Sequence, residues 1–162
     1  MNCLQKLVFL ALLSGLASCA TVSGRTGADF AAFLDRMDSA QRELQQGLPE
    51  SYKALWSHSD DVSLAGGFGG NFEVGWVNVE KRLEWASAQF KDGRSQVRRI
   101  SSSTSDELGY VVQSEHIQFT ATSSNAPTER FYRVTMLFRR EDGQWRIIHR
   151  HADVPASKAA PP

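Results

Sequence analysis

Glu141-Asp142-Gly143-Gln144-Trp145-Arg146-Ile147-Ile148-His149-Arg150-His151-Ala152-Asp153 is the stretch whose reading decides the fold. Asp-Gly marks a tight reversal, because such residues tolerate the positive φ that a hairpin turn demands. The residues after it are aromatic and β-branched at the core-type positions, which suits a strand. A strand that follows a hairpin turn pairs with the segment before it. Side chains on a strand alternate between faces, so Trp145, Ile147, His149, His151 and Asp153 are predicted to share one face. Arg146, Ile148, Arg150 and Ala152 then share the other.

Working outward, the same strand-like patterning covers residues 96–103, 110–121 and 130–139. Turn signals separate them at Asp106-Glu107-Leu108-Gly109 and at residues 123–127. Before residue 95 the period changes to that of helices. Phe30, Phe33, Leu34, Met37 and Leu44 form one apolar stripe, predicting a helix over 29–46 with Gly47 as its stop. Pro49 opens a second, shorter helix with Tyr52, Leu55 and Trp56 as its stripe. Asp60-Asp61 turns into a brief strand over 62–65, followed by Gly66-Gly67-Phe68-Gly69-Gly70 and residues 71–77. Asn78 is the expected cap of a third helix carrying Val79, Leu83, Trp85 and Phe90, with Gly93 as its end. The prediction is an α+β domain: three N-terminal helices packed on one face of a curved antiparallel sheet.

The 162 residues are 41% hydrophobic and 22% charged, which fits one ordinary globular domain. Basic and acidic residues balance at 18 each. No basic field is available to neutralise phosphates, so no nucleic-acid partner is expected. Both cysteines, Cys3 and Cys19, lie at the N-terminus, which leaves the body without a disulfide framework or a cysteine zinc site.

Residues 1–18 carry one positive charge at Lys6, an apolar run from Leu7 to Leu13 and then small residues. That is the pattern of a secretory signal, and the run is too short to span a bilayer. Leu16-Ala17-Ser18-Cys19 resembles a bacterial lipobox, which makes Cys19 the expected lipidation site. The alternative is a plain signal peptide cut after Ala20, with Cys19 incidental. Residue 20 is Ala, not Asp, which by the same resemblance implies sorting to the outer membrane, facing the periplasm, in a double-membraned bacterium. The expected organisation is a signal peptide (1–18), a lipidated tether (19–27), one folded domain (28–154) and a disordered tail (155–162).

The final-strand motif from Asp142 to His151 resembles the last strand of the nuclear transport factor 2-like superfamily. It is most similar to the SnoaL-like branch and to the association domain of calcium/calmodulin-dependent protein kinase II. Leu55-Trp56-Ser57-His58-Ser59-Asp60-Asp61-Val62 is similar to that superfamily's second-helix-to-strand turn. The resemblance spans residues 28–154 and implies a cone whose sheet wraps around a mostly apolar pocket. It also implies a general-base aspartate shortly after the Asp-Asp turn in the isomerases of this fold. That position is Gly66 here, so isomerase chemistry is disfavoured and a binding module is expected rather than an enzyme.

His149 and Arg133 are the leading ligand-binding candidates, with His151, Trp56 and Trp76 as further pocket wall. His149 either presents an imidazole to the pocket or is half-buried and hydrogen-bonded to a neighbouring strand. Arg133 either meets an anionic ligand or pairs with Glu115. His149, His151 and Asp153 make a poor metal ladder, because same-face residues on a strand stand about 7 Å apart, and no metal is expected. The glycine run lacks the Lys-Ser/Thr pair of a phosphate loop and reads as a lip over the pocket, so no cofactor is expected. The expected ligand is a small polar or anionic organic molecule. A homodimer through the sheet is also expected, with Val134, Met136 and Phe138 on the convex face. An isomerase, cyclase or hydrolase using His149 and Arg133, or a pure dimerisation module, are the competing functions.

Overall fold

The computed structural model describes residues 19–156. Residues 1–18, expected as a signal peptide, and the chain from residue 157 lie outside them. Helix α1 runs Cys19–Leu44, so the backbone of the stretch expected as a tether continues the helix, which no proline interrupts. Its buried stripe is Phe30, Phe33, Leu34, Met37, Ala40, Gln41, Leu44 and Gln45, and Gly47 at φ 87° ends it as expected. Helix α2 is short, Glu50–Lys53, with Pro49 at its N-cap. Helix α3 is Trp76–Ser87. It starts before Asn78, because Gly75 at φ 80° makes the turn and its N–H bonds Val62 O. Asn78 therefore sits inside the helix and donates from its side chain to Val74 O at 2.8 Å.

One six-stranded sheet has the order β2-β1-β6-β5-β4-β3. Its strands are β1 (Ser63–Ala65), β2 (Glu73–Val74), β3 (Phe90–Thr104), β4 (Leu108–Ala121), β5 (Ala126–Glu141) and β6 (Gln144–Asp153). All neighbours are antiparallel except β1 and β6, which are parallel. β3 begins earlier than expected, at Phe90, and so takes in the residues read as the end of the third helix. Gly93 lies inside β3, not at a helix end. A Cβ there would stand 2.1 Å from Gln45 O, and the Gly93 N–H donates to that carbonyl at 3.0 Å. The last turn of α1 is thus tied to the sheet by a contact only glycine permits.

The sheet is curved around a core built on its inner face. Phe30 and Phe33 of α1 pack edge-on to Phe138 of β5, with ring centroids 5.4 Å apart in both pairs. On β4 the inward positions are Val111, Gln113, Glu115, Ile117 and Phe119; on β5 they are Tyr132, Val134, Met136 and Phe138. Val134, Met136 and Phe138 are at most 2% exposed. The expectation that they stand on the convex face is therefore corrected: the outward residues of that strand are Phe131, Arg133, Thr135 and Leu137.

The last strand brings a second correction. Phe138 pairs with Ile147, but Leu137 pairs with His149, so β6 carries one extra residue at a bulge. Before it Trp145 and Ile147 point inward; after it Arg150 and Ala152 do. The single alternation predicted from Trp145 to Asp153 breaks at Ile148. His149 and His151 turn to the outer face, and Arg150 enters the core.

Candidate functional site

Between α1, α3 and the concave face of the sheet lies a partly open cavity of about 70 Å³. Leu44, Leu64, Phe68, Leu83, Phe90 and Ile117 give it apolar walls. Its polar lining comes from Gln41, Gln45, Tyr52, Tyr132, Arg150 and Arg82. Gly66, Gly67 and Phe68 line it too, as the expected lip. A Cβ on Gly67 would stand 2.5 Å from the Tyr132 ring, so glycine there lets the lip lie flat on that tyrosine.

At the base of the cone Arg150 makes a two-pronged ion pair with Glu115, at 2.9 and 2.8 Å. Gln113 Nε2 donates to Glu115 Oε1 at 2.7 Å. Arg99 in turn donates to Gln113 Oε1 and, at 2.9 Å, to Asp38. Burial pushes the Glu115 carboxyl upward, but the Arg150 charge and hydrogen bonds from Arg150, Gln113 and Gln41 outweigh it, and the net shift is downward. The carboxylate stays charged and committed to its partners. Burial also pushes the Tyr52 phenol up to about 12, so its hydroxyl keeps its proton at neutral pH. Burial raises Tyr132 likewise, with Arg130 acting against it.

Four polar atoms of the lining residues are buried without a hydrogen-bond partner: Gln41 Oε1, Gln45 Oε1, Tyr52 Oη and Tyr132 Oη. Buried polar groups are nearly always paired. These are four of the eight such side-chain atoms among the described residues, and they share one cavity.

None of the five residues predicted to bind ligand lines this cavity. His149 is on the outer face, where its Nδ1 and Ser63 Oγ share a hydrogen bond of 2.8 Å. This is the neighbouring-strand alternative. Burial, then the charge of His151, lowers its pKa. His151 is exposed beside Phe72, with rings 5.9 Å apart. Arg133 is also exposed and pairs with Asp153, not Glu115, because it lies one residue out of phase with the inward Tyr132. Trp56 is core, 1% exposed, and bridged to Ile147. Trp76 is half-buried and stacks on His58 at 4.0 Å. Among the described residues no cluster of three or more His, Cys, Asp or Glu could hold a metal ion.

The residues that do converge left traces in the sequence. Gln41 and Gln45 occupy the apolar stripe of α1, four residues apart. Gln113 and Glu115 interrupt the alternation that runs from Val111 to Phe119. A polar residue at a core-phase position is the signal. Arg150 gave none, because the bulge that turns it inward cannot be read from the alternation.

The family profile described as a SnoaL-like domain matches residues 33–157. Solved structures share the fold at low identity. One is a nuclear transport factor 2-like superfamily protein from Salmonella enterica serovar Typhimurium, 15% identical, with TM-score 0.68 over 84% of this chain and 95% of that one. A ketosteroid isomerase-like protein from Erwinia carotovora atroseptica is 15% identical, with TM-score 0.66 over 80% and 96%. A Xanthomonas campestris protein named for the calcium/calmodulin-dependent protein kinase II association domain is 18% identical, with TM-score 0.63 over 78% and 85%. None of the curated proteins matches the sequence.

Proposed function

The chain belongs to the SnoaL-like family, and from that premise we propose that its cone receives a small organic molecule with its polar end inward. The observation that carries this is the set of four unpaired buried atoms on Gln41, Gln45, Tyr52 and Tyr132. Each such group costs about 1–3 kcal/mol when left unmade. Phenylalanine and leucine at these positions would give a more stable core. A ligand that supplies the missing partners explains why the polar residues stand there.

Binding is favoured over turnover by what lines the cavity. Among its lining residues there is no free carboxylate and no imidazole. Glu115 lies behind Arg150 with its pKa lowered, which makes it a weak base. Gly66 lines the cavity at the position where the isomerases of this fold place their base. A site joining His149 to Arg133 inside the cone has no geometric support, since both are on the outer face.

Delivery to the bacterial envelope through a lipid on Cys19 belongs to the same proposal, supported by the lipobox-like Leu16-Ala17-Ser18-Cys19. So does pairing of two copies through the outer face of the sheet. Ligand-observed NMR with a fragment set tests the pocket. Fragments should bind the wild-type protein and lose binding to Leu83→Trp, which fills the cavity. Hits that persist in a folded Leu83→Trp protein, or no hits at all, would defeat the proposal.

A further inference from the structure

Resting on that pocket assignment, we infer that the buried end of the ligand is an uncharged group that both donates and accepts hydrogen bonds. A primary carboxamide or a hydroxyl fits; a carboxylate or phosphate does not. The orientation of Gln41 is fixed by chemistry. Glu115 is ionised and can only accept, so the Gln41 amide NH₂ must be the part bonded to it. Gln41 Oε1 therefore faces elsewhere, buried and lacking a donor. It is an obligatory acceptor, and it calls for a ligand N–H or O–H. Gln45 Oε1, four residues on along the same helical face, is in the same condition.

The two tyrosines supply the opposite need. Each phenol carries a proton it must give to some acceptor, and neither has one. Both hydroxyls are buried, and both tyrosines line the cavity beside Arg150. Acceptors from α1 and donors from α2 and β5 thus surround one place.

Charge decides against an anion there. The network behind the base contains Asp38 and Glu115 against Arg99 and Arg150, two charges of each sign. Arg150 already has both prongs on Glu115. Arg130, which has no ion pair among the described residues, acts on Tyr132 and lies over the Phe68 ring, but it does not line the cavity. An anionic head would be desolvated with no unpaired cation in the wall at the base, beside two carbonyl oxygens that repel it. The cation at the mouth, Arg82, sits over the Trp85 ring and donates to Gly69 O. A charged outer end of a ligand could meet it while still in water. The cavity is also smaller than the roughly 150 Å³ that encloses a benzene ring. A narrow head with a short chain fills it, and the rest leaves past residues 66–68.

Titration of the full chain in detergent with hexanamide, 1-hexanol and hexanoate tests this, by NMR shift perturbation. Hexanamide and hexanol should bind at least about tenfold more tightly than hexanoate. Tyr52→Phe should weaken hexanamide roughly threefold to tenfold and leave hexanoate unchanged. The same variant should melt no lower than wild type, because it removes an unpaired hydroxyl. Hexanoate binding as tightly as hexanamide would overturn the inference while leaving the pocket assignment intact. So would a Tyr52→Phe protein that melts lower, or that keeps the wild-type preference. Failure of all three probes to bind the wild-type protein would overturn the pocket assignment, and this inference with it.

Discussion

Glu115 and Arg133 show how little an ionisable residue's type says about its weight in the fold. Glu115 is buried against Arg150, and replacing it with Gln leaves a guanidinium without its counter-charge in the core. Loss of one partner of a buried pair costs about 3–5 kcal/mol, so Glu115→Gln should lower the urea midpoint sharply. Arg133 faces water, and Arg133→Gln should leave the midpoint nearly unchanged. The pH dependence follows from the sign of the Glu115 shift. Its folded pKa lies below the ordinary 4.5, so its contribution is fully present above that value. It is lost as pH falls from there through the folded pKa. Asp61, held down to about 2 by Arg139 and Ser59, acts in the same direction near the surface. Asp38, raised mainly by burial, opposes them. Urea melts at stepwise lower pH should therefore show a loss beginning below about 4.5, and Glu115→Gln should flatten it. A Glu115→Gln protein with the wild-type acid profile would refute the assignment.

At the scale of elements, the helices are secured to the sheet by backbone rather than by packing alone. The end of α1 finds its partners on α3 and β3: Ser87 Oγ donates to Leu44 O at 2.9 Å, and the Gly93 N–H donates to Gln45 O. Carbonyls at a helix C-terminus need such donors when buried. Gly93→Ala places a methyl group against Gln45 O and forces α1 and β3 apart. A cost of about 1–3 kcal/mol, of the overpacking kind, is expected and read from the thermal midpoint. An unchanged midpoint would mean that the junction yields more easily than its geometry implies. The bulge in β6 matters to function more than any helix boundary. It exchanges a histidine-lined inner face for one carrying Arg150, and so sets the chemistry of the cone.

The whole molecule presents an outer sheet face and an N-terminal helix to its surroundings. No described helix is long and apolar enough to cross a membrane. If acylation of Cys19 supplies the attachment, Cys19→Ser should move the protein from the membrane fraction to the soluble one and remove the diacyl mass. Retention of the variant, with no lipid on the wild-type peptide, would remove the anchor from the proposal. Phe131 and Leu137 are 52% and 41% exposed on the outer face of the sheet. Covering them is the physical motive for pairing two copies there. Phe131→Glu with Leu137→Glu should give a folded monomer by sedimentation where the wild-type domain sediments as a dimer. A wild-type monomer would end that part of the proposal.

Hydrophobic period, together with the turn and capping signals between its segments, determined the class of this fold. The α1 stripe of Phe30, Phe33, Leu34, Met37 and Leu44, and the alternation along β4 and β5, are local patterns, and the three helices and four long strands follow from them. The final-strand motif also carried the family. The contents of the pocket were not legible in this way, because they depend on phase across the sheet. One inserted residue in β6 moves His149 and His151 outward and Arg150 inward, and no local propensity records it. The long pairing of β5 with β4 and β6 decides which of Tyr132 and Arg133 meets the core. Gln41, Gln45, Tyr52 and Tyr132 come from two helices and a strand, and only the closed cone brings them to one cavity and leaves their polar atoms unpaired. Chain-local patterns fix which faces are buried; the register between distant strands fixes which side chains share a space.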